Sequence, residues 1–327
     1  MSSALSFPKK HPSALRPESA RPLSAVPFKK AIGTDMLPIG LPYSLAFPLA
    51  AEVGFGAVEM EDVANRDEAE EVREAALRAG LTIHSVRAED NWRYPLSSDN
   101  RDDVQRCIRA LHAALSNAKF WGADTVLLIP AVVDAKTSYV QAYTRSQAVI
   151  RSEVLPMARE FGVVLGIENV WNGFLLSPLE YVRYIDEFES PWVRAYLDVG
   201  NMIFGYPEHW VAIAGHRIVK VHVKDFHLDR DRFRFSFGRV GSGAINWTAV
   251  RAALLDVGFS GYVTTTGIPR DRWVDSLTRA MNRCRSGNIP GASVLARALS
   301  ALRQRADLVF LHDAARRFDR FRDGRVD

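Results

Sequence analysis

The sequence predicts an α/β fold, a closed (β/α)8 barrel, because strand-like and helix-like segments alternate eight times between residues 30 and 283. The strand segments are near-continuous apolar runs, which are typical of parallel strands covered by helices. The segments between them have the amphipathic pattern of helices. Eight such units in one domain favour a closed barrel over an open doubly wound sheet.

The strands are predicted from short runs that are rich in Val, Ile, Leu and Thr. In chain order they are KAIGTDML, GAVEMED, LTIHSVRA, ADTVLLIPAV, GVVLGIEN, VRAYLDVGN, RIVKVHVKD and GYVTTTG. Strands five to seven end on residues that could hold a metal or move a proton. The eighth strand ends on Thr266, which carries no charge.

The helices are predicted from their apolar periodicity and from the signals at their ends. Asn65 is the predicted N-cap of NRDEAEEVREAALRAG, and Gly80 is its predicted stop. The other helices are predicted in SLAFPLAAEVG, SDNRDDVQRCIRALHAALSNAKFWG, residues 139–161, SPLEYVRYIDEF, PEHWVAIAG, NWTAVRAALLDVG and RDRWVDSLTRAMNRC. Between strand seven and NWTAVRAALLDVG the sequence predicts a polar loop.

The two ends of the chain are predicted to lie outside the barrel. Residues 1–29 are rich in Ser, Pro and Ala, which predicts a disordered extension. Residues 30–283 are assigned to the barrel. Residues 284–327 are predicted to be an accessory or atypical C-terminal tail, in which apolar residues at helical spacing allow one or two helices.

Charge and composition exclude several classes of protein. Residues 31–283 carry a net charge of −5, so we expect no nucleic acid partner, since such binding needs clustered Lys and Arg. We expect no membrane partner and no secretory signal, because no apolar run is long enough for either. The two cysteines lack metal-type spacing and exclude a disulfide framework, so a reduced, cytoplasmic protein is expected. Assembly into a homo-oligomer stays open.

Three candidate ligands lie at the carboxyl ends of successive strands, where the active sites of barrels are built. Glu168, Asp198 and His222 follow the apolar runs of strands five, six and seven. A carboxylate is costly to bury there unless it is paired or coordinated. Neighbouring strands lie about 4.8 Å apart, so the three groups can converge on one ion. This set suits a divalent metal cation such as Mn²⁺, Co²⁺, Mg²⁺ or Zn²⁺.

Structural roles compete with these assignments. Taken singly, the two carboxylates could form an ion pair or a turn, and the histidine could be a core residue; their joint position favours the metal site. For His84, and for Lys224 with Asp225, contact with substrate and a structural role are both open. Glu59 and Glu61 are predicted to form ion pairs. GRVGSGAINW does not have the pattern of a dinucleotide-binding loop.

With these residues in place, the sequence resembles the xylose isomerase-like TIM barrels, specifically the sugar phosphate isomerase/epimerase group. The matching segments are MLPIGLPYSLAFPLAAEVGFGAVEM, HSVRAEDNWRYPLSS, AKFWGADTVLLIPAVV, GIENVWNGFLLSPLEYVRYIDEFESPWVRAYLDVGN and RIVKVHVKDF. The resemblance implies a divalent-metal-dependent epimerase or isomerase of a ketose sugar or sugar phosphate. Such an enzyme abstracts a proton next to a metal-polarised carbonyl and passes through an enediolate.

The resemblance also implies roles for single residues. Glu168, Asp198 and His222 match three of the four metal ligands of the family, and Glu168 also matches a catalytic residue that moves a proton at C3 in ketose 3-epimerases. Asn201 matches a position that contacts substrate in the family, and His84 and Trp92 match positions that line its pocket. Lys224 is added to these expected substrate-binding residues from its place after strand seven alone.

The fourth ligand of the family is a glutamate just after strand eight, where this chain has Thr266. A threonine hydroxyl is a weak ligand and no base near neutral pH. Either another residue supplies the second proton, or the protein is a catalytically impaired or non-catalytic sugar-binding relative. A metal-dependent endonuclease, which shares the barrel superfamily, is disfavoured by the acidic body and by the few histidines at strand ends.

Overall fold

The computed structural model describes residues 28–38, 40–203, 205–232, 234–238, 240–267 and 306–324 of the 327-residue chain. Its strands are β1 (Lys29–Gly33), β2 (Ala57–Glu61), β3 (Thr82–Arg87), β4 (Thr125–Leu128), β5 (Val164–Glu168), β6 (Val193–Asp198), β7 (Ile218–Val223), β8 (Asp225–Asp229), β9 (Arg234–Gly238) and β10 (Tyr262–Thr265). Eight of them close into a parallel barrel in the order β1, β10, β7, β6, β5, β4, β3, β2. The predicted barrel is therefore confirmed.

The helices lie between the strands as the apolar periodicity predicts. They are α1 (Tyr43–Glu52), α2 (Arg66–Ala79), α3 (Arg101–Trp121), α4 (Tyr139–Val149), α5 (Leu155–Phe161), α6 (Pro178–Asp186), α7 (Pro207–Ala214), α8 (Trp247–Asp256) and α9 (Ala306–Asp323). A π-helical turn, Ile150–Val154, joins α4 to α5, so residues 139–161 are helical throughout. The helix predicted in RDRWVDSLTRAMNRC and residues 1–27 of the extension predicted over residues 1–29 lie outside the described residues. At residues 28 and 29 that prediction is wrong, because Phe28 is buried and Lys29 begins β1 in register with Tyr262.

The end signals of the helices act as predicted. The side chain of Asn65 accepts a hydrogen bond from the backbone N–H of Asp67 at 2.9 Å, which satisfies a free donor at the start of α2. Gly80 follows α2 with φ +67°, a left-handed conformation that favours glycine. These signals place the turns that lead into and out of the barrel strands.

The main apolar core lies between the barrel and its helices. It includes Phe47 and Leu111 from helices, and Val86 and Val126 from strands. A second, smaller cluster consists of Leu127, Ile129, Val170 and Tyr196. Because Ile129 and Val170 also line the cavity at the carboxyl ends of the strands, this cluster gives the cavity an apolar floor.

The prediction of a polar loop after strand seven is wrong. Residues 225–238 contain the antiparallel hairpin of β8 and β9, in which Phe226 pairs with Phe237 and Leu228 pairs with Phe235. The alternation of aromatic and polar residues in RFSFG is a period-two strand signal. The charged residues around the hairpin turn conceal that signal in the sequence.

Helix α9 packs near the amino end of β1. Phe318 and Phe321 are buried, and the ring of Phe321 stacks on Phe28 with 6.0 Å between centroids. The Nζ atom of Lys30 lies 3.1 Å from a carboxylate oxygen of Asp319. The part of the tail that the structure describes is thus one helix in contact with the barrel.

In the described part of the chain no helix is long and apolar enough to cross a membrane.

Candidate metal centre and adjoining cavity

The three predicted ligands come together at the carboxyl ends of β5, β6 and β7. Glu168, Asp198 and His222 each offer one ligand atom, and these atoms all lie within 4.8 Å of one another. All three side chains are buried. Asp198 pairs with His222 in the strand register, so the convergence follows directly from the order of the strands in the barrel.

The imidazole of His222 has a carboxylate at each nitrogen. Its Nδ1 atom lies 3.0 Å from Oε1 of Glu168 and 3.9 Å from Oδ2 of Asp198. Its Nε2 atom lies 3.0 Å from Oε1 of Glu59. The Nδ1 atom is therefore the ring atom that points into the group of three ligands.

Glu59, which the sequence predicts only as an ion-pair residue, supports this arrangement from β2. It forms the ion pair with His222 and accepts a hydrogen bond from Ser85 Oγ at 2.9 Å. The hydroxyl of Tyr196 also donates to it. A carboxylate that holds the second nitrogen of a metal-ligating histidine fixes the orientation of the ring.

These contacts shift the pKa values of the group. Burial alone lowers the pKa of His222, but the charge of Glu59 and the hydrogen bonds with Glu168 and Glu59 outweigh it and raise the pKa to about 10. Burial raises the pKa of Glu59, but the neighbouring His222 outweighs that effect and lowers the pKa below the usual range. Burial raises the pKa of Glu168. A cation that binds at Nδ1 of His222 must therefore displace a proton from that nitrogen, because only the neutral imidazole is a ligand.

The carboxylate of Asp198 is held by the turn that follows β6. Its Oδ1 atom accepts hydrogen bonds from the backbone N–H groups of Gly200, at 2.7 Å, and Asn201, at 3.1 Å. Lys224 Nζ donates to Oδ2. The backbone N–H of Asp198 donates to Oδ1 of Asn169 at 2.8 Å, and Nδ2 of Asn169 donates to the backbone oxygen of Asp198 at 2.9 Å. Asp198 is therefore fixed before any ion binds.

A cavity of about 340 Å³ opens beside the three ligands, a volume within the range of small-molecule sites. Of the predicted substrate-binding residues, Trp92, Asn201 and Lys224 line it. The Oδ1 atom of Asn201 is buried and has no hydrogen-bond partner among the described residues. The ring of Trp92 meets that of Trp171 edge to face, with 5.8 Å between centroids. The cavity thus offers polar groups and an aromatic wall.

His84 lies below the cavity, inside the barrel. Its ring stacks on Tyr262, the first residue of β10, with 4.5 Å between centroids. Its Nε2 atom lies 3.0 Å from the hydroxyl of Thr264. Burial and the nearby charge of Lys220 lower its pKa well below the usual value. The structure therefore separates His84 from the residues that line the cavity.

Thr266 lines the cavity as the resemblance implies, but a carboxylate lies next to it. The hydroxyl of Thr266 donates to Oδ2 of Asp35 at 3.1 Å, and the backbone N–H of Gly267 donates to the same atom at 3.1 Å. Asp35 follows β1 by two residues and also lines the cavity. In the sequence, the signal for Asp35 is its place just after a barrel strand, and that signal alone does not single it out.

The residues present fit a divalent cation. Two carboxylates and one imidazole converge, and oxygen and imidazole donors suit Mg²⁺, Mn²⁺, Co²⁺ and Zn²⁺. The ligand atom of the histidine is oriented by a second carboxylate, as is usual at metal sites.

Comparison with known proteins finds one matching family and two curated relatives. The family model described as xylose isomerase-like TIM barrel matches residues 47–286. A putative L-ribulose-5-phosphate 3-epimerase of Haemophilus influenzae is 22% identical over 247 residues, which cover 71% of this chain and 86% of that protein. A 3-oxo-isoapionate decarboxylase of Pectobacterium atrosepticum is 25% identical over 107 residues, which cover 31% of this chain and only 38% of that protein.

Solved structures of ketose epimerases have the same fold. An L-ribulose 3-epimerase superposes with a TM-score of 0.68 at 16% identity, covering 91% of this chain and 95% of that one. A D-psicose 3-epimerase from Clostridium cellulolyticum, solved with D-tagatose, superposes with a TM-score of 0.65 at 18% identity, covering 90% of this chain and 99% of that one. At these identities the likeness shows the fold.

Proposed function

Because the chain belongs to the xylose isomerase-like TIM barrel family, we propose that it is a divalent-metal-dependent epimerase or isomerase of a ketose sugar or sugar phosphate. The observation that carries the proposal is the buried group of Glu168, Asp198 and His222 beside the cavity. The putative L-ribulose-5-phosphate 3-epimerase among its relatives supports the same reaction class.

In this proposal the three residues hold the cation, which would polarise the substrate carbonyl when bound. Glu168 takes a proton from the carbon next to that carbonyl, and the substrate passes through an enediolate. The free Oδ1 atom of Asn201 accepts a hydrogen bond from a sugar hydroxyl, and Lys224 donates one. Trp92 covers the apolar face of the sugar and keeps water away from the reacting carbon.

The proposed substrate is small and rich in hydroxyl groups. The polar residues of the cavity suit a sugar, and its apolar floor of Ile129 and Val170 suits the C–H face of a ring or chain. His84 is placed inside the barrel, so we assign it a supporting role beneath the site.

The proposal is tested by metal analysis of the purified protein and by a panel of ketoses and ketose phosphates incubated in D₂O. We expect about one divalent cation per chain, and deuterium at the carbon next to the carbonyl. Glu168→Gln is expected to reduce turnover by at least about 100-fold, since it removes the group that moves the proton. The matched control is Glu160→Gln, at an exposed position on α5, which should turn over like the unaltered protein.

Full turnover by Glu168→Gln would contradict the proposal. A protein that binds the cation and a ketose but incorporates no deuterium would instead favour a second candidate function, a non-catalytic sugar-binding relative. The specific observation behind that candidate is the uncharged Thr266 at the end of β10. Thr266→Glu should then create deuterium incorporation where the unaltered chain has none.

A further inference from the structure

Four carboxylates line the cavity, and two of them, Glu168 and Asp35, enter it from opposite sides of the barrel. Glu168 ends β5, and Asp35 lies two residues beyond the end of β1. Three strands separate β1 from β5 in each direction around the closed barrel, so the two strands face each other across it. Both side chains line the same cavity.

The local structure holds the carboxylate of Asp35 over the end of β10. Thr266 and Gly267 both donate to its Oδ2 atom. Gly33 makes room for this position, because a Cβ atom there would lie 2.3 Å from Oδ1 of Asp35. A residue with any side chain at position 33 would push the carboxylate away from Thr266.

Asp35 remains accessible although it is held. Its side chain is 13% exposed, and Nη1 of Arg87, another residue that lines the cavity, lies 3.8 Å from Oδ2. Among the described residues, the group with ligand atoms within 4.8 Å of one another is Glu168, Asp198 and His222. Asp35 stands outside that group and follows the strand opposite β5, so in the proposed arrangement the substrate lies between Asp35 and Glu168.

We propose that Asp35 is the second proton-transfer residue of the site and that the reaction is an epimerisation. The inference rests on the proposed function. A change of configuration requires that one group removes a proton from one face of a carbon and another group returns a proton to the opposite face. An isomerase that moves a hydrogen between two carbons on one face needs no such pair.

Each epimerisation moves one proton to Glu168 and one proton away from Asp35. Glu168 takes the proton from the carbon next to the carbonyl, and the electron pair of the broken C–H bond is held in the enediolate. Asp35, which must hold a proton at this stage, gives it to the same carbon from the other side, and the new C–H bond forms. Glu168 ends protonated and Asp35 ends ionised, and the reverse reaction restores both.

Asp35→Asn separates the two transfers. In D₂O the unaltered protein should incorporate deuterium into both epimers of a ketose that it turns over, as read by NMR. In Asp35→Asn the interconversion of epimers should fall by at least about 100-fold. The epimer whose hydrogen faces Glu168 should still exchange, because Glu168 can remove and return a proton on one face. The bound metal should stay equal to that of the unaltered protein.

A second variant tests the same position without removing a charge. Gly33→Ala keeps every ionisable group but displaces the carboxylate of Asp35, so it should reproduce the loss of interconversion with one-sided exchange. The matched control for Asp35→Asn is Asp186→Asn, at an exposed position on α6, which should interconvert the epimers at the normal rate.

The outcomes distinguish this inference from the proposed function. Interconversion of epimers at the normal rate by Asp35→Asn overturns the assignment of Asp35 alone. Loss of exchange at both epimers together with loss of metal would show that Asp35 supports the metal centre, and also overturns it. An unaltered protein that holds metal but exchanges no hydrogen with any ketose overturns the proposed function itself.

Discussion

The Nε2 atom of His222 lies 3.0 Å from a carboxylate oxygen of Glu59, while its Nδ1 atom lies 3.0 Å from Glu168. The contact with Glu59 orients the ring so that Nδ1 is the nitrogen available to a cation. Glu59 is itself held by Ser85 and Tyr196. The candidate metal centre therefore depends on a chain of buried hydrogen bonds that begins on β2.

Glu59→Gln is expected to lower the affinity for the divalent cation by about 10- to 100-fold, as is typical when the partner of a ligating histidine is changed. The amide can keep one hydrogen bond but loses the charge that faces His222. Competition with a metal-binding indicator measures the affinity. The control is Glu160→Gln, the same substitution at an exposed position, which should leave the cation affinity unchanged. An unchanged cation affinity in Glu59→Gln would show that Glu59 does not support the metal centre.

The variant Asp198→Asn tests the candidate metal centre through the thermal stability that a bound cation adds. A ligand that binds only the folded state at 100 times its dissociation constant raises the free energy of unfolding by about 2.7 kcal/mol. We expect Mn²⁺ to raise the melting temperature of the unaltered protein and EDTA to reverse the rise. Asp198→Asn should lose most of this rise, and Asp186→Asn should keep it. An equal rise in both variants would place the cation elsewhere.

The barrel could be predicted from sequence because its signals are local. The apolar run of each strand and the end signals at Asn65 and Gly80 lie within a few residues of the structure that they determine. The convergence of Asp198 and His222 was also predictable, because consecutive strands are neighbours in the barrel. The hairpin of β8 and β9 was missed because charged residues obscure its short alternation.

The rest of the candidate site depends on contacts between distant parts of the chain. Thr266 meets Asp35 across 231 residues, through the pairing of β10 with β1 that closes the barrel. Glu59 meets His222 across 163 residues, inside the barrel. Whether His84 faces the cavity depends on its height along β3, which periodicity does not determine. A position at a strand end can mark such a residue, as for Asp35, but the neighbouring sequence does not reveal which distant residue it meets.

Gly200→Ala is expected to disturb both the metal centre and the fold. A Cβ atom at position 200 would lie 2.3 Å from Cγ and 2.6 Å from the backbone oxygen of Lys224, so the end of β7 must shift. Overpacking of this kind costs about 1–3 kcal/mol, and cation affinity should fall because Gly200 also donates to Asp198. Urea unfolding measures the first effect and metal titration the second.

The matched control for Gly200→Ala is Gly56→Ala. A Cβ atom at position 56 has its nearest neighbour at 3.9 Å, an ordinary contact. Its free energy of unfolding should stay within about 0.5 kcal/mol of the unaltered protein, and its cation affinity should not change. Equal behaviour of the two alanine variants would mean that the end of β7 yields easily, and that Asp198 is not held as tightly as its contacts indicate.

Helix α9 is expected to contribute to the stability of the barrel rather than to its chemistry. Phe321 stacks on Phe28 and meets Trp247 edge to face, with 5.3 Å between centroids. Phe321→Ala should therefore cost about 3–5 kcal/mol in urea unfolding, as large buried aromatic side chains do. Arg320→Ala, at an exposed position on the same helix, should cost less than about 0.5 kcal/mol.

We propose on this basis that residues 284–327 include an accessory helix that the barrel requires. If Phe321→Ala unfolds like the unaltered protein, the helix is dispensable. If it loses cation affinity while still folded, the helix acts on the site and not only on the fold.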